Sequence, residues 1–263
     1  GKNILDKDRR TMKKTFQAGT GILGEANPKI CVPVVAGTRE AIWKKAEEIA
    51  LLPADIVEWR ADFYADIFQS QTMQETLQGL KERLNGKALL FTFRTKEEGG
   101  NQSISRDAYH QLNESAASAG ADLVDVEAFL EEERTADKIR RLKEAGCRVI
   151  ASSHDFDRTP PVKEMVRRLL RMEEMGADAA KLAVMPVERQ DVLELLKATV
   201  MADERLSIPV ITMSMGSLGA VSRICGSLTG SAMTFASVGE TSAPGQIPIE
   251  SMQAALRLLE CGR

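Results

Sequence analysis

The stretch CRVIASSHDFDRTPPVKEMVRRLLRMEEMGADAAKLAVMP, residues 147–186, decides how this chain folds. It opens on a short run of small and β-branched residues, 147–153, and closes on a second, 178–185. Both are bounded by turn formers and read as buried strands. Between them lies an amphipathic helical stretch, 161–175. Two strands separated by a helix do not pair as a hairpin; they lie parallel, with the helix as the crossover.

Working outward, the same alternation fills the chain. Strand candidates fall at 30–36, 55–61, 88–94, 122–127, 147–153, 178–185, 207–214 and 231–238. Amphipathic stretches fall at 39–51, 66–84, 103–119, 129–145, 161–175 and 188–201. The connection around 218–224 is the weakest helix, and 250–260 is the last. Eight strand–helix repeats match an α/β fold of the (β/α)8 TIM-barrel type. The rival, a doubly wound open sheet, lacks its signature. Ala36-Gly37-Thr38-Arg39 follows the first strand where a Gly-x-Gly-x-x-Gly turn would stand, and no Walker loop occurs. Residues 15–27, with Gly19, Gly21 and Gly24, are expected to form a short N-terminal hairpin closing the barrel bottom, and 1–14 a flexible leader. Without repeats or linkers, 1–263 reads as one domain.

The 263 residues are 43% hydrophobic and 28% charged, an ordinary globular balance. A formal charge of −3 speaks against nucleic acid or a membrane surface as partner, and no apolar run reaches the ~18 residues of a membrane span. Cys31, Cys147, Cys225 and Cys261 are too far apart for a Cys-x-x-Cys motif, and nothing suggests a disulfide framework, which points to a reducing cytoplasm.

In the strand at 178–185, Lys181 is a lone base in an apolar run. A buried lysine is either paired with a core carboxylate or kept neutral by dry surroundings, and a neutral amine attacks carbonyls. Barrel chemistry gathers at the C-terminal strand ends, and polar residues there form a set. Glu58 and Arg60 share one face, with Trp59 on the other. Arg94 is followed by Glu97-Glu98-Gly99-Gly100, and the fifth strand ends Ser152-Ser153-His154-Asp155. Met213 and Met215 end the seventh, Arg223 lies beyond it, and Ser242-Ala243-Pro244-Gly245-Gln246 follows the eighth.

Each member has a plain alternative: an internal ion pair for Glu58 and Arg60, a solvated turn for the acidic run, a capping role for His154, core filler for the methionines, a Pro-Gly turn for 242–246. His110, in a polar helical stretch, reads as a surface residue. Convergence on one rim lifts the set above its members. Arginines there suit an anionic substrate, and lysine with histidine suits covalent carbonyl chemistry with proton transfer. No cluster at metal-ligand spacing occurs, so neither metal nor cofactor is expected.

Together these pieces resemble the type I 3-dehydroquinate dehydratases, the Schiff-base class of the shikimate pathway. The matching segments are Asp55-Ile56-Val57-Glu58-Trp59-Arg60-Ala61-Asp62, Phe91-Thr92-Phe93-Arg94 with Glu98-Gly99-Gly100, Ser152-Ser153-His154-Asp155-Phe156, Ala180-Lys181-Leu182-Ala183-Val184-Met185-Pro186, and Ser242-Ala243-Pro244-Gly245-Gln246, in the family's order from residue 28 onward. The resemblance implies that Lys181 condenses with the C3 ketone of 3-dehydroquinate. His154 then removes the C2 proton and protonates the departing C1 hydroxyl in a syn elimination, giving 3-dehydroshikimate. It implies that Glu98 orients the histidine and that Arg223, Ser242 and Gln246 take the substrate carboxylate. Glu58, Arg60 and Arg94 would hold the ring hydroxyls, Met213 and Met215 the apolar face. It also implies a homodimer.

Two positions depart from the family pattern: Pro33 where many members have a substrate-touching serine, and Ser153 where Asn often precedes the histidine. The segment 242–246 is expected to fold over the mouth as a lid. The alternatives are another Schiff-base barrel enzyme of the aldolase or transaldolase kind, which lacks support because no Gly-rich phosphate loop follows the last strands, and a non-catalytic sensor of quinate-like ligands, which would need neither Lys181 nor His154.

Overall fold

A computed structural model describes residues 15–25, 27–239 and 243–260. The expected leader, 1–14, lies outside the described residues. The chain opens on an antiparallel hairpin, β1 (Phe16–Ala18) and β2 (Gly21–Leu23). Eight parallel strands follow: β3 (Lys29–Val34), β4 (Ile56–Arg60), β5 (Ala88–Thr92), β6 (Leu123–Glu127), β7 (Arg148–Asp155), β8 (Ala179–Val184), β9 (Val210–Ser214) and β10 (Met233–Ser237). From β3 to β9 each pairs with the next, and β10 pairs back onto β3 through Met233–Lys29, Thr234–Ile30 and Phe235–Cys31. Between β9 and β10 the ring closes through the Val210–Ser231 bridge and a 2.7 Å bond from Ala232 N to Val210 O. A short β11 (Ile247–Pro248) adds to β10.

The crossovers are α1 (Arg39–Ala50), α2 (Ser70–Arg83), α3 (Arg106–Ser118), α4 (Glu132–Glu144), α5 (Val162–Glu174) and α6 (Arg189–Arg205). The weak seventh connection resolves into two short helices, α7 (Ala220–Ile224) and α8 (Gly226–Thr229), and α9 (Ile249–Glu260) ends the described chain. Local signals set several starts. Thr38 and Ser105 accept from the backbone N–H groups of Ala41 and Ala108, and Glu188 with Asp191 forms a reciprocal capping box.

Period-two alternation sorts the strand residues into two cores. Outward-facing Val57, Trp59, Phe91, Val126, Val149 and Leu182 pack under the helices, whereas Cys31, Ile56, Leu90, Leu123, Ile150 and Ile211 fill the barrel interior. Phe16, Ala18 and Leu23 of the hairpin join that interior cluster at the N-terminal end, so the hairpin plugs the bottom as expected. Gly19 is required there: its φ is +59°, and a Cβ would lie 2.3 Å from Ala88 N.

Three strands at this end begin in the same way. Asp55, Asp122 and Asp178 each donate a backbone N–H to the preceding strand and accept one back: Ile30 N to Asp55 at 2.8 Å, Leu89 N to Asp122 at 2.8 Å, Val149 N to Asp178 at 2.9 Å. His110 departs from expectation. It is 5% exposed, with Nε2 2.8 Å from Glu131, because α3 turns it towards the start of α4 and away from solvent. Cys31, Cys147 and Cys225 are buried free thiols; Cys261 lies outside the described residues. Among the described residues no helix is long and apolar enough to cross a membrane.

Candidate active site

The strands' C-terminal ends surround an open pocket of about 470 Å³. Glu58, Arg60, Arg94, Glu98, His154, Lys181, Met213, Met215, Arg223 and Gln246 all line it, together with Gly99, Phe156, Ala183, Phe235 and Ala243. Of the candidate site residues singled out in the sequence, only Ser242 falls outside the described residues. Pro33, in β3, is buried beside Glu58 in the register and does not line the pocket.

Lys181 rises from the middle of β8, 3% exposed, with Nζ 4.6 Å from the Phe235 ring centroid. It has a carboxylate partner, Asp125 of β6, at 3.2 Å. Asp125 is the centre of a polar cluster that the sequence analysis did not single out. Its Oδ2 also takes Arg94 at 2.9 Å, and its Oδ1 accepts from the Ser152 hydroxyl at 2.6 Å. Arg94 donates further to Glu127 at 3.0 Å and Ser152 at 3.1 Å. Burial would push the Asp125 carboxyl up, but the charges of Arg94 and Lys181 outweigh it and hold it below the usual carboxylate range. Arg94 is held well above its ordinary value: burial lowers it, and Asp125, Glu127 and Glu98 more than compensate.

On the other side of Arg94, Glu98 ends a 3-10 turn, Lys96–Glu98, and its Oε2 accepts from both the backbone N–H (3.0 Å) and Nδ1 (2.8 Å) of His154. A carboxylate at Nδ1 fixes the proton there and leaves Nε2 as the lone-pair nitrogen. Burial, then the charges of Arg94 and Lys181, holds the imidazole well below its ordinary pKa, so the ring is a neutral base at neutral pH. Burial and the neighbouring Glu127 push Glu98 up. Gly99 has φ +83°, and a Cβ there would strike the Phe156 ring, which stacks on His154 at 6.4 Å. Only glycine lets the turn and that ring coexist.

Arg60 is gripped by Asp62, both contacts 2.8 Å, and Asp62 is fully buried, also taking the backbone N–H of Asn101. Glu58 accepts from Thr92 at 2.9 Å. An internal Glu58–Arg60 ion pair, the plain alternative for these two, is not what orders them; each has a partner on or beside its own strand. Arg223 differs from every other charge at the rim. It is 2% exposed, forms no ion pair among the described residues, leaves Nε without a partner, and gives one N–H to the Pro244 carbonyl at 2.8 Å. Burial alone lowers it to about 10. A buried guanidinium without an acid is costly unless a ligand supplies one.

The missed residues had a readable trace. In Leu123-Val124-Asp125-Val126-Glu127 two carboxylates alternate with apolar residues, which puts both on one face of a strand. Their partners Arg94, Ser152 and Lys181, 27 to 56 positions away in sequence, follow only from the register.

Comparison with known proteins agrees with this geometry. The type I 3-dehydroquinase family matches residues 30–262. A 3-dehydroquinate dehydratase of Clostridioides difficile is 42% identical over 94% of this chain and 98% of its own length, and one of Listeria monocytogenes is 45% identical over 90% and 94%. The crystal structure of 3-dehydroquinate dehydratase from Geobacillus kaustophilus superposes with a TM-score of 0.92 at 38% identity, covering 97% of this chain and all of that one. With the match spanning the whole barrel and every described pocket residue within it, the chain belongs to the type I 3-dehydroquinase family.

Proposed function

We propose that the enzyme dehydrates 3-dehydroquinate to 3-dehydroshikimate in the shikimate pathway, through an imine on Lys181. One observation carries this reading: a buried amine, a neutral imidazole held by a carboxylate, and an arginine with no acid partner among the described residues face the same pocket. The arginine, Arg223, takes the substrate carboxylate. Lys181 attacks the ketone, and the resulting iminium draws electrons from the neighbouring carbon. His154, with Nε2 as base and Glu98 fixing its tautomer, removes the C2 proton and returns it to the leaving hydroxyl. Glu58 and Arg60 hold the ring hydroxyls, and Met213 and Met215 cover the apolar face. Arg94 supports this machinery from behind, since its donors are committed to Glu127, Asp125 and Ser152.

In support of covalent chemistry, the C. difficile type I relative, TM-score 0.91 at 42% identity, was crystallised with covalently modified comenic acid. The 243–246 segment acts as the lid; Pro244 accepts from Arg223 and from the Gly216 N–H, tying it to the mouth. On the family resemblance the enzyme works as a single-domain homodimer in the cytoplasm, which sedimentation and fractionation of its host would check.

The deciding experiment incubates the enzyme with 3-dehydroquinate and borohydride and maps the adduct by mass spectrometry. An adduct on Lys181, with enone absorbance from unreduced turnover, supports the mechanism. A folded enzyme that forms neither adduct nor product sinks it.

A further inference from the structure

Asp125 touches the lysine but does not line the pocket. Three donors from three different segments immobilise it: Lys181 in β8, Ser152 in β7 and Arg94 after β5. Its carboxyl is 1% exposed. The ionisable groups around it are Arg94, Glu98, Glu127, His154 and Lys181, with the Tyr109 hydroxyl behind Glu127. Glu58 and Cys31 flank the lysine from β4 and β3.

We propose that Asp125 is a positioning residue for the lysine, a fixed counter-ion passed from the resting ammonium to the iminium nitrogen without contact with the substrate. This rests on the Schiff-base chemistry above and deepens it. The charge count is the physical core. The ammonium first releases one proton to solvent, and Nζ then attacks the ketone carbon. The Nζ–C bond forms and the C–O bond breaks. The oxygen leaves as water carrying one proton from the amine and one from an acid. The iminium retains one hydrogen and one positive charge, so the nitrogen beside Asp125 is a monocation before condensation and again after it. A carboxylate held ionised by Arg94 is a poor proton acceptor, so Asp125 does not take the ammonium's proton. It favours both cations over the neutral amine between them, and its three anchors keep it from following the substrate.

The test measures borohydride-trapped adduct with 3-dehydroquinate against pH, in the native enzyme, Asp125→Asn and Asp125→Glu. The asparagine variant is expected to trap about tenfold less adduct, because the iminium loses its counter-ion. Its acid limb of trapping should move about one pH unit lower, because an ammonium without that counter-ion gives up its proton more readily; each effect is ~1.4 kcal/mol. Loss of packing alone would reduce the yield and leave the limb in place. The glutamate variant keeps the charge but displaces it, so it should fall between, and it carries the test should the asparagine variant not fold. A limb unmoved in the folded variants overturns the proposal while trapping by the native enzyme stands. Failure of the native enzyme to trap any adduct removes the Schiff base itself and the proposal with it.

Discussion

The two ends of this barrel use acidic groups in opposite ways. At the bottom, Asp55, Asp122 and Asp178 each join backbone groups of neighbouring strands. Asp178 adds Lys143 at 3.3 Å and Arg148 at 3.1 Å. At the mouth, Asp125, Glu127 and Glu98 hold the charged or titratable side chains Arg94, Lys181 and His154, and Glu127 and Glu98 each accept one backbone N–H besides. The bottom charges close the hydrogen bonds of the sheet; the mouth charges set the reactivity of other groups, and among the described residues none pairs with Arg223. Placing both kinds at one end would couple chemistry to stability, because every step that moved a proton would also load the strand ladder.

The contrast can be broken most severely at Lys181. Lys181→Ala should abolish dehydration by a factor on the order of 10⁴ or more and leave no borohydride adduct, while urea denaturation shows a folded protein, since Asp125 keeps Arg94 and Ser152. Next comes His154→Gln, expected to slow turnover by on the order of 10²–10⁴ with Lys181 still trappable. In the native enzyme the imidazole sits below its ordinary range through burial and the charges of Arg94 and Lys181. Protonation therefore comes only at lower pH, and the acid limb of kcat should lie below the ~6.5 of a free imidazole; a limb at or above it would contradict a buried neutral base.

Arg223→Met should raise KM on the order of 10²-fold and change kcat only a few-fold, because it removes a binding charge that every state of the substrate shares. Smallest in chemistry is Asp178→Ala. It should cost about 2 kcal/mol of stability by urea midpoint with kcat/KM unchanged. A loss of activity in that folded variant would show that the two ends are not separate.

Much of this was legible in the sequence, for physical reasons that also explain the gaps. Strands such as β8 and helices such as α5 announce themselves because their apolar periods differ and their turn residues are local. Glu58, Arg60, Arg94 and His154, towards their strands' ends, and Lys181, within its strand, could be gathered on one rim because a parallel barrel sends every C-terminus the same way. Asp125 and Asp62 escaped, since their roles depend on what lies opposite. Asp125 meets Lys181 from 56 positions away, and Asp62 looked like the tail of a strand until the 99–102 loop closed over it. His110 was misjudged because polar neighbours along α3 hide the one direction that faces α4.

The ring's weakest fastening is between β9 and β10. Six register pairs join β7 to β8, but this join rests on one bridge, the Ala232 N–H to Val210 and the Ser231 hydroxyl, which takes the Thr212 N–H at 3.1 Å where its counterparts are aspartates. A closed hoop loosens first where its clasp is thinnest, so amide hydrogen exchange of the native barrel should begin at Val210–Thr212. That clasp lies on the flank carrying Met213, Arg223 and Pro244. Breathing of the hoop would therefore widen the mouth beside Arg223 and leave the strands bearing Lys181 and His154 still.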